Sequence, residues 1–300
     1  MNKQELTSMV AEILAQMHGR EPMVKGSDYK PAVLEQENRR ITNVGVPDIS
    51  AMDLRKLYLV KDPKDGEAFR KLKMKTPARL GCGKAGARYR TLTMLRFRAD
   101  HAAAQDAVFS QVPEDYAQKH GFTAVQTQCA SKDEYLTRPD KGRRFDEENQ
   151  KIIRGAVVGN PRVQIVVGDG LSSAAIVANG ADCLAAIKDG LKVRGITTGQ
   201  DLFVRYCRVG AGDAVGDVTG CELVCVLVGE RPGLVTDKSM SAYITYKPHT
   251  GVSESARTVV SNIHAQGTPA VEAGAYIAEL IGTILEKKVS GVGLLTGAKA

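Results

Sequence analysis

The sequence VQIVVGDGLS, residues 163–172, decides the class of fold. Its first half is an almost unbroken run of Val and Ile, which is typical of a parallel β-strand covered on both faces. Its second half, Gly168 to Ser172, is a polar loop that contains two glycines. Loops that follow parallel strands lie at the edge where open α/β sheets bind ligands. The stretch therefore predicts an α/β protein with a ligand site at this edge.

Strands and helices alternate in this manner from about residue 113 to the C-terminus. The predicted strands span residues 122–129, 163–167, 203–209, 222–228 and 242–246. The predicted helices span residues 140–158, 171–178, 182–193 and 269–287. This alternation is typical of a Rossmann-like α/β fold, in which helices cover a doubly wound and mostly parallel sheet.

The N-terminal part of the chain has a different organisation. Apolar residues recur at helical spacing within residues 1–19, which predicts an amphipathic helix that docks onto a partner or onto its own protein. Residues 20–50 are polar and contain three prolines, as expected of a linker. Residues 51–112 carry helical patterns on both sides of a glycine-rich turn at 80–86. We therefore predict a small helical N-terminal domain at 51–112 and a Rossmann-like domain at 113–300.

Length and composition indicate a soluble intracellular protein. The chain has 300 residues with 43% hydrophobic content, which suffices for a substantial core. No apolar run approaches the roughly 18 residues that span a bilayer, and the N-terminus lacks the apolar segment of a signal peptide. The six cysteines form no Cys-x-x-Cys pair and have no histidine at metal-ligand spacing. We expect buried free thiols, no metal site and no membrane partner.

Much of the positive charge is concentrated in one stretch. Residues 70–99 contain ten basic residues and no acidic residue, namely Arg70, Lys71, Lys73, Lys75, Arg79, Lys84, Arg88, Arg90, Arg96 and Arg98. Such a cluster is typical of a nucleic-acid surface or of a surface that meets an acidic protein partner. No DNA- or RNA-binding motif accompanies it, and aromatic residues for base stacking are few. We therefore favour a protein partner and expect no nucleic acid.

The predicted ligand edge carries polar side chains but no combination of nucleophile, base and acid. Asp169 could act as a catalytic or ribose-binding acid, or it could cap the helix that starts near Leu171. Glu230 could form a salt bridge with Arg231, or it could accept hydrogen bonds from a ligand rich in N–H and O–H donors. No Gly-x-Gly-x-x-Gly follows the first strand, so an autonomous nucleotide-binding protein lacks its expected phosphate loop.

Several stretches between about residues 50 and 290 resemble, in a consistent order, the small (light) subunit of ethanolamine ammonia-lyase. They are RYRT (88–91), LRFRADH (95–101), YLTRPD (135–140), GRR (142–144), GDGLS (168–172), FVRY (203–206), LVGERPGL (227–234), SNIH (261–264) and GTP (267–269). The predicted N-terminal helix and linker resemble that family only in being a helix followed by a linker, and no sequence motif there carries the resemblance.

The resemblance implies an adenosylcobalamin enzyme that converts ethanolamine to acetaldehyde and ammonia by a radical route. In that family the large subunit is a TIM barrel that binds ethanolamine and carries the reacting groups. The small subunit has a Rossmann-like domain and a helical N-terminal region, and it completes the cobalamin site at the subunit interface. The assembly is a hexamer of large–small pairs. In many bacteria it lies in a cytoplasmic microcompartment, where residues 1–19 would contact shell or core proteins.

Three cofactor-binding residues are carried over by motif. Val209 comes just after the stretch 205–208, Glu230 lies in the GERPG loop, and Val259 precedes the SNIH motif. Val209 and Glu230 lie at the ends of predicted strands, where the sheet pattern had already indicated a ligand. The resemblance implies no catalytic residue and no metal ligand on this chain.

The resemblance also bears on the histidines. Residues 262–267, NIHAQG, are similar to the Asp-x-His-x-x-Gly motif of proteins in which histidine replaces cobalamin's own base on cobalt. Asn262 stands where that motif has the Asp that orients the imidazole. In the ethanolamine ammonia-lyase family, cobalamin keeps its own dimethylbenzimidazole on cobalt (base-on). We therefore expect His264 to line the pocket or a subunit contact, and His101 to be a packing or surface residue.

Overall fold

The structure of the protein is a computed structural model that describes residues 48–53, 55–56 and 58–297. The amphipathic helix predicted at 1–19 and most of the linker predicted at 20–50 lie outside the described residues. One compact unit spans Asp48–Ala300.

The described chain begins with a region of helices and a short hairpin. A 3-10 turn at Ile49–Ala51 is followed by helix α1 (Gly66–Met74), the hairpin strands β1 (Lys84–Ala85) and β2 (Arg88–Tyr89), and helix α2 (Thr91–Phe109). The glycine-rich turn thus connects two helices, as predicted. The helical pattern predicted from residue 51 onward is wrong for the described residues between Ala51 and Asp65, because helix α1 begins only after Asp65, whose carboxylate accepts the Ala68 N–H at 2.9 Å.

A six-stranded sheet forms the α/β part. Its strands are β3 (Thr123–Gln126), β4 (Val163–Asp169), β5 (Leu202–Arg205), β6 (Leu223–Gly229), β7 (Met240–Tyr246) and β8 (Arg257–Ile263). Their order is β3-β5-β4-β6-β7-β8. The first four strands are parallel, whereas β7 and β8 are antiparallel to their neighbours. The prediction of an α/β protein with a mostly parallel sheet is confirmed.

Helices pack against both faces of this sheet. They are α3 (Tyr116–Lys119), α4 (Lys132–Thr137), α5 (Glu147–Ala156), α6 (Ser173–Val193), α7 (Ala211–Thr219), α8 (Ala270–Lys287) and α9 (Val292–Thr296). Alternate side chains of β4 enter two separate cores: Ile165 and Val167 pack on the side of α6 and α8, and Val166 packs on the side of α5 and α7. The strand reads as continuously apolar because both of its faces are buried.

Four predicted elements differ from the structure. The two helices predicted at 171–178 and 182–193 are one helix, α6, because the Asn179 amide donates to Ala175 O at 3.0 Å and to Lys238 O at 2.9 Å without interrupting the helix. The helix predicted at 140–158 starts only at α5, after Asp146 caps it. The strand predicted at 203–209 ends at Arg205, where the following Tyr206 turns into a left-handed conformation (φ 57°).

Strand β8 was not predicted from the sequence. It is an edge strand whose residues 258–262 are half-buried or exposed, so the sequence there lacks the continuous apolar run of β4. Arg257, its first residue, donates to both carboxylate oxygens of Asp213 in α7 at 2.7 Å and to Glu254 Oε2 at 2.7 Å. The hydrogen bonds to Asp213 raise the pKa of Arg257 further above its usual value. This buried ion pair links the edge strand β8 to helix α7.

Replacing Arg257 should therefore destabilise the fold. In Arg257→Met the carboxylate of Asp213 stays buried without its cation, and we expect the free energy of unfolding to fall by about 3–5 kcal/mol. Urea denaturation followed by circular dichroism measures this loss. The matched control is Arg162→Met, whose ion pair with Glu222 is half-exposed and should cost less than about 1 kcal/mol. Equal, small losses in both variants would contradict the assignment.

Candidate functional site

An open cleft of about 310 Å³ lies at the carboxyl ends of the parallel strands, and we call it the strand-end cleft. The loops that follow β4, β5 and β6 form it together with side chains of α4, β7 and β8. Its lining residues are Tyr135, Leu171, Cys207, Arg208, Val209, Val228, Gly229, Glu230, Arg231, Ser241, Tyr243, Val259 and Ser261. All three residues carried over by motif, Val209, Glu230 and Val259, line this one cleft.

The strand order explains why a cleft opens here. β4 and β6 are parallel neighbours. After β4 the chain continues to β5, which lies on one side of this pair, and after β6 it continues to β7, which lies on the other side. Loops that leave in opposite directions do not cover the strand ends between them. At the base of the cleft Gly229 lies against the loop after β4, where an added Cβ would meet Ser172 O at 2.1 Å. The site is therefore a consequence of topology.

Glu230 is the carboxylate of the strand-end cleft, and three donors hold it. Its Oε2 accepts from the Ser239 hydroxyl at 2.8 Å, and its Oε1 accepts from the Ser241 hydroxyl and, at 3.2 Å, from the Asn262 N–H. Within the described part of the chain Glu230 makes no ion pair, so the salt bridge considered with Arg231 is wrong. A carboxylate has about four lone-pair sites, which leaves acceptor capacity for a ligand.

The two valines that line the cleft lie on different elements of the fold. Val209 lies beyond the end of β5, in the turn that begins α7, where its carbonyl accepts the Gly212 N–H at 3.0 Å. Val259 lies within β8, opposite Tyr243 of β7, and 47% of it is exposed. An exposed valine beside a carboxylate gives the cleft an apolar wall with one acidic group.

Tyr135 and Arg208 also line the strand-end cleft, and a second cation, Lys132, lies beside the tyrosine ring, a cluster that the sequence did not indicate. The Arg208 Cζ lies 4.2 Å from the centre of the Tyr135 ring, and the Lys132 Nζ lies 5.3 Å from it. Arg208 Nη2 donates to Tyr135 O at 2.7 Å, and Lys132 Nζ donates to Gly170 O at 2.8 Å. Burial lowers the pKa of Lys132. The only sequence signal was that Arg208 directly precedes Val209.

Asp169 has a structural role that differs from both alternatives. Its Oδ2 accepts the Val112 N–H at 3.1 Å and its Oδ1 accepts the Ser173 hydroxyl at 2.5 Å. The N-cap of α6 is Ser172, whose hydroxyl oxygen accepts the Ala175 N–H at 3.1 Å. Asp169 is 1% exposed and does not line the strand-end cleft. It attaches the segment after α2 to the end of β4.

The imidazole of His264 is fully engaged by its own loop. Nε2 lies 2.8 Å from Asn262 Oδ1, and Nδ1 accepts the Gln266 N–H at 3.2 Å. Both ring nitrogens are therefore occupied. His264 lines a second cleft, of about 590 Å³, beside the helical region rather than the strand-end cleft. His101 is exposed on α2, in agreement with the packing-or-surface prediction.

The basic stretch serves partly to hold the helical region together. Arg79 and Arg96 both pair with Asp100 of α2, at 2.7 and 2.9 Å, and Arg79 also donates to Leu234 O in the loop after β6. Lys73 is buried and donates to Leu80 O. By contrast, Arg88 and Arg98 are exposed and make no ion pair within the described ranges. Asp100, the acid that pairs with these half-buried arginines, lies just beyond the acid-free stretch.

The described residues carry buried thiols and no metal-binding cluster. All six cysteines are buried free thiols, as predicted. Burial raises the pKa of Cys207, which lines the strand-end cleft, to about 12. Residues 48–53, 55–56 and 58–297 contain no cluster of His, Cys, Asp or Glu that could hold a metal ion. No helix among them is both long and apolar enough to span a bilayer.

Fold and site together define an α/β protein with an open cleft at a topological switch point of its sheet. Comparison with known proteins is more specific. The family model of the ethanolamine ammonia-lyase light chain (EutC) matches residues 66–295. The chain is 55% identical, over 294 residues, to the ethanolamine ammonia-lyase small subunit of Clostridium perfringens, and the match covers 98% of this chain and 100% of that protein.

Two further relatives agree. The small subunits of ethanolamine ammonia-lyase from Clostridioides difficile and Listeria monocytogenes are 55% and 54% identical over 296 residues, again with 98% of this chain and 100% of each relative covered. The chain belongs to the family of ethanolamine ammonia-lyase small subunits. Membership implies a lyase complex in which a large subunit is the partner.

Proposed function

We propose that this chain completes the adenosylcobalamin site of ethanolamine ammonia-lyase, which converts ethanolamine to acetaldehyde and ammonia in ethanolamine catabolism. The observation that carries the proposal is that Val209, Glu230 and Val259 line one open cleft at the strand ends. When bound, adenosylcobalamin supplies the organic radical that abstracts hydrogen from ethanolamine. This chain binds and orients the cofactor, and the large subunit, a TIM barrel, carries the reacting groups.

The residues of the strand-end cleft fit this cofactor. The corrin ring of cobalamin is a broad apolar surface whose edge bears carboxamides, which are N–H donors. Val209, Val228 and Val259 provide apolar wall, and Glu230 provides an oriented acceptor for such donors. The cleft is also open to solvent and holds no free thiolate, since Cys207 is buried and its pKa is raised. Both features suit a binding wall that a second subunit covers.

The occupied imidazole of His264 supports base-on binding. A histidine that replaced cobalamin's base would need a free ring nitrogen, whereas Asn262 and Gln266 engage both nitrogens. The cofactor would then keep its own dimethylbenzimidazole on cobalt.

We infer further that the α/β domain, at about 113–300, is Rossmann-like and that the helical region at 51–112 is a separate N-terminal domain. Support comes from helices on both faces of the sheet and from the switch point between β4 and β6. The hexamer of large–small pairs, the microcompartment location and contact of residues 1–19 with shell or core proteins rest on the family resemblance.

Reconstitution tests the function. The chain is purified alone, the large subunit alone, and both together, and ethanolamine deamination is assayed with adenosylcobalamin. We expect acetaldehyde only from the combined subunits, because the two halves of the cofactor site lie on different chains. Activity of this chain alone, or full activity of the large subunit alone, would disprove the proposal.

Glu230→Gln should weaken cofactor binding in the complex. The substitution preserves size but removes the charge that strengthens hydrogen bonds from carboxamides, so we expect the dissociation constant of adenosylcobalamin to rise about tenfold. Equilibrium dialysis measures it. The matched control is Glu222→Gln, at the opposite end of β6, where the carboxylate accepts from Arg162 at 3.0 Å and does not line the cleft. A Glu230→Gln complex that binds as tightly as the control would contradict the role of Glu230.

We propose that the unpaired arginines of the hairpin face acidic surface on the large subunit. Reversal of both charges in Arg88→Glu/Arg90→Glu should lower co-purification of the large subunit several-fold, and high salt should weaken the wild-type complex. An acid at the N-terminus of α2 suits the helix dipole, so the helix itself should not suffer.

The control for this variant is Lys287→Glu/Lys288→Glu, which reverses two exposed charges at the end of α8. Unchanged co-purification of the Arg88→Glu/Arg90→Glu chain, or equal loss in the control, would contradict the proposal that the hairpin lies in the subunit interface.

A further inference from the structure

Arg208 is a charged residue of the strand-end cleft to which the proposed function assigns no role. Its Nη2 donates to Tyr135 O at 2.7 Å, and its guanidinium lies over the Tyr135 ring. Its Nε is buried and has no hydrogen-bond partner among the described residues. A buried donor without a partner costs free energy, and such groups commonly mark the position of a missing ligand.

The surroundings of Arg208 carry more positive than negative charge. Lys132 lies against the same tyrosine ring and donates to a carbonyl, Gly170 O, rather than to a carboxylate. The buried carboxylate of this end, Asp169, is already committed to Val112 N and Ser173. Neither Arg208 nor Lys132 forms an ion pair within the described part of the chain. This end of the cleft therefore favours an anionic group.

The arginine is also held in position before any ligand binds. Its backbone N–H donates to Gly142 O at 2.9 Å, and its carbonyl accepts the Ala211 N–H at 2.8 Å. The tyrosine ring supports the guanidinium from one side. A side chain fixed in this way loses little conformational entropy when it binds.

We propose that Arg208 binds the phosphodiester of the nucleotide loop of adenosylcobalamin, an inference that rests on the proposed function. The phosphodiester is the anionic group of this cofactor, whereas its carboxamides are neutral. A guanidinium presents several N–H donors in a planar fork that matches phosphate oxygens. The strand-end cleft thus offers an acceptor, Glu230, for carboxamides and a donor, Arg208, for the phosphodiester.

The test compares two ligands of the reconstituted complex. Adenosylcobinamide has the corrin and the adenosyl group but no nucleotide loop. Arg208→Met should raise the dissociation constant of adenosylcobalamin about 10- to 100-fold and change that of adenosylcobinamide less than about threefold, as measured by equilibrium dialysis. The matched control is Arg205→Met, whose guanidinium donates to Gln111 Oε1 at 3.0 Å and does not line the cleft. Thermal unfolding of each chain verifies the fold.

A second measurement applies even where adenosylcobinamide binds too weakly to quantify. The ³¹P resonance of bound adenosylcobalamin should shift in Arg208→Lys, which keeps the charge but loses the fork, and should stay unchanged in Arg205→Met. Equal weakening of both ligands, or an identical ³¹P resonance in Arg208→Lys and wild type, would overturn the assignment. A wild-type complex that binds no adenosylcobalamin would instead overturn the proposed function.

Discussion

The parallel pairing of β4 with β6 is the constraint on which the site depends. Both strands are buried on both faces, so neither can shift without exposing a core. Because the chain leaves them in opposite directions, a cleft must open at their carboxyl ends. Gly229 allows the loops to approach at the base, where any side chain would collide with Ser172 O. Residues far apart in the sequence, such as Val209 and Val259, meet there as a result.

The groups that line the cleft suit the binding role that we propose for it. Its carboxylate, Glu230, is held in one orientation by the Ser239 and Ser241 hydroxyls and the Asn262 N–H, and it presents acceptor oxygens to the cleft. Its thiol, Cys207, is buried and protonated. In the function we propose, such an open wall holds the cofactor while the partner subunit carries the reacting groups.

Features that depend on local pattern could be predicted, and features that depend on tertiary contacts could not. The apolar run of β4 predicted a strand covered on both faces, and the loops after β4 and β6 indicated the edge of the sheet at which the cleft lies. Strand β8 has no such run because it is an edge strand, tied down by the distant ion pair of Arg257 with Asp213. Helix α6 looked broken at Asn179, whose amide is satisfied by a carbonyl 59 residues away. The position of Arg208 in the cleft could not be predicted, because it depends on contact with Tyr135, which lies 73 residues away in the sequence.

Asp169 and Glu230 show why residue type alone did not separate structure from binding. Both carboxylates stand at the end of a central strand, and both accept hydrogen bonds from serine hydroxyls. Both oxygens of Asp169 accept hydrogen bonds, from the Val112 N–H and the Ser173 hydroxyl. Its carboxylate therefore joins the helical region to the sheet. Glu230 lies where β6 meets the antiparallel β7, and the opposite departure of the loops leaves its carboxylate at the cleft surface. Position relative to the switch point, rather than chemistry, therefore decides which carboxylate can meet a ligand.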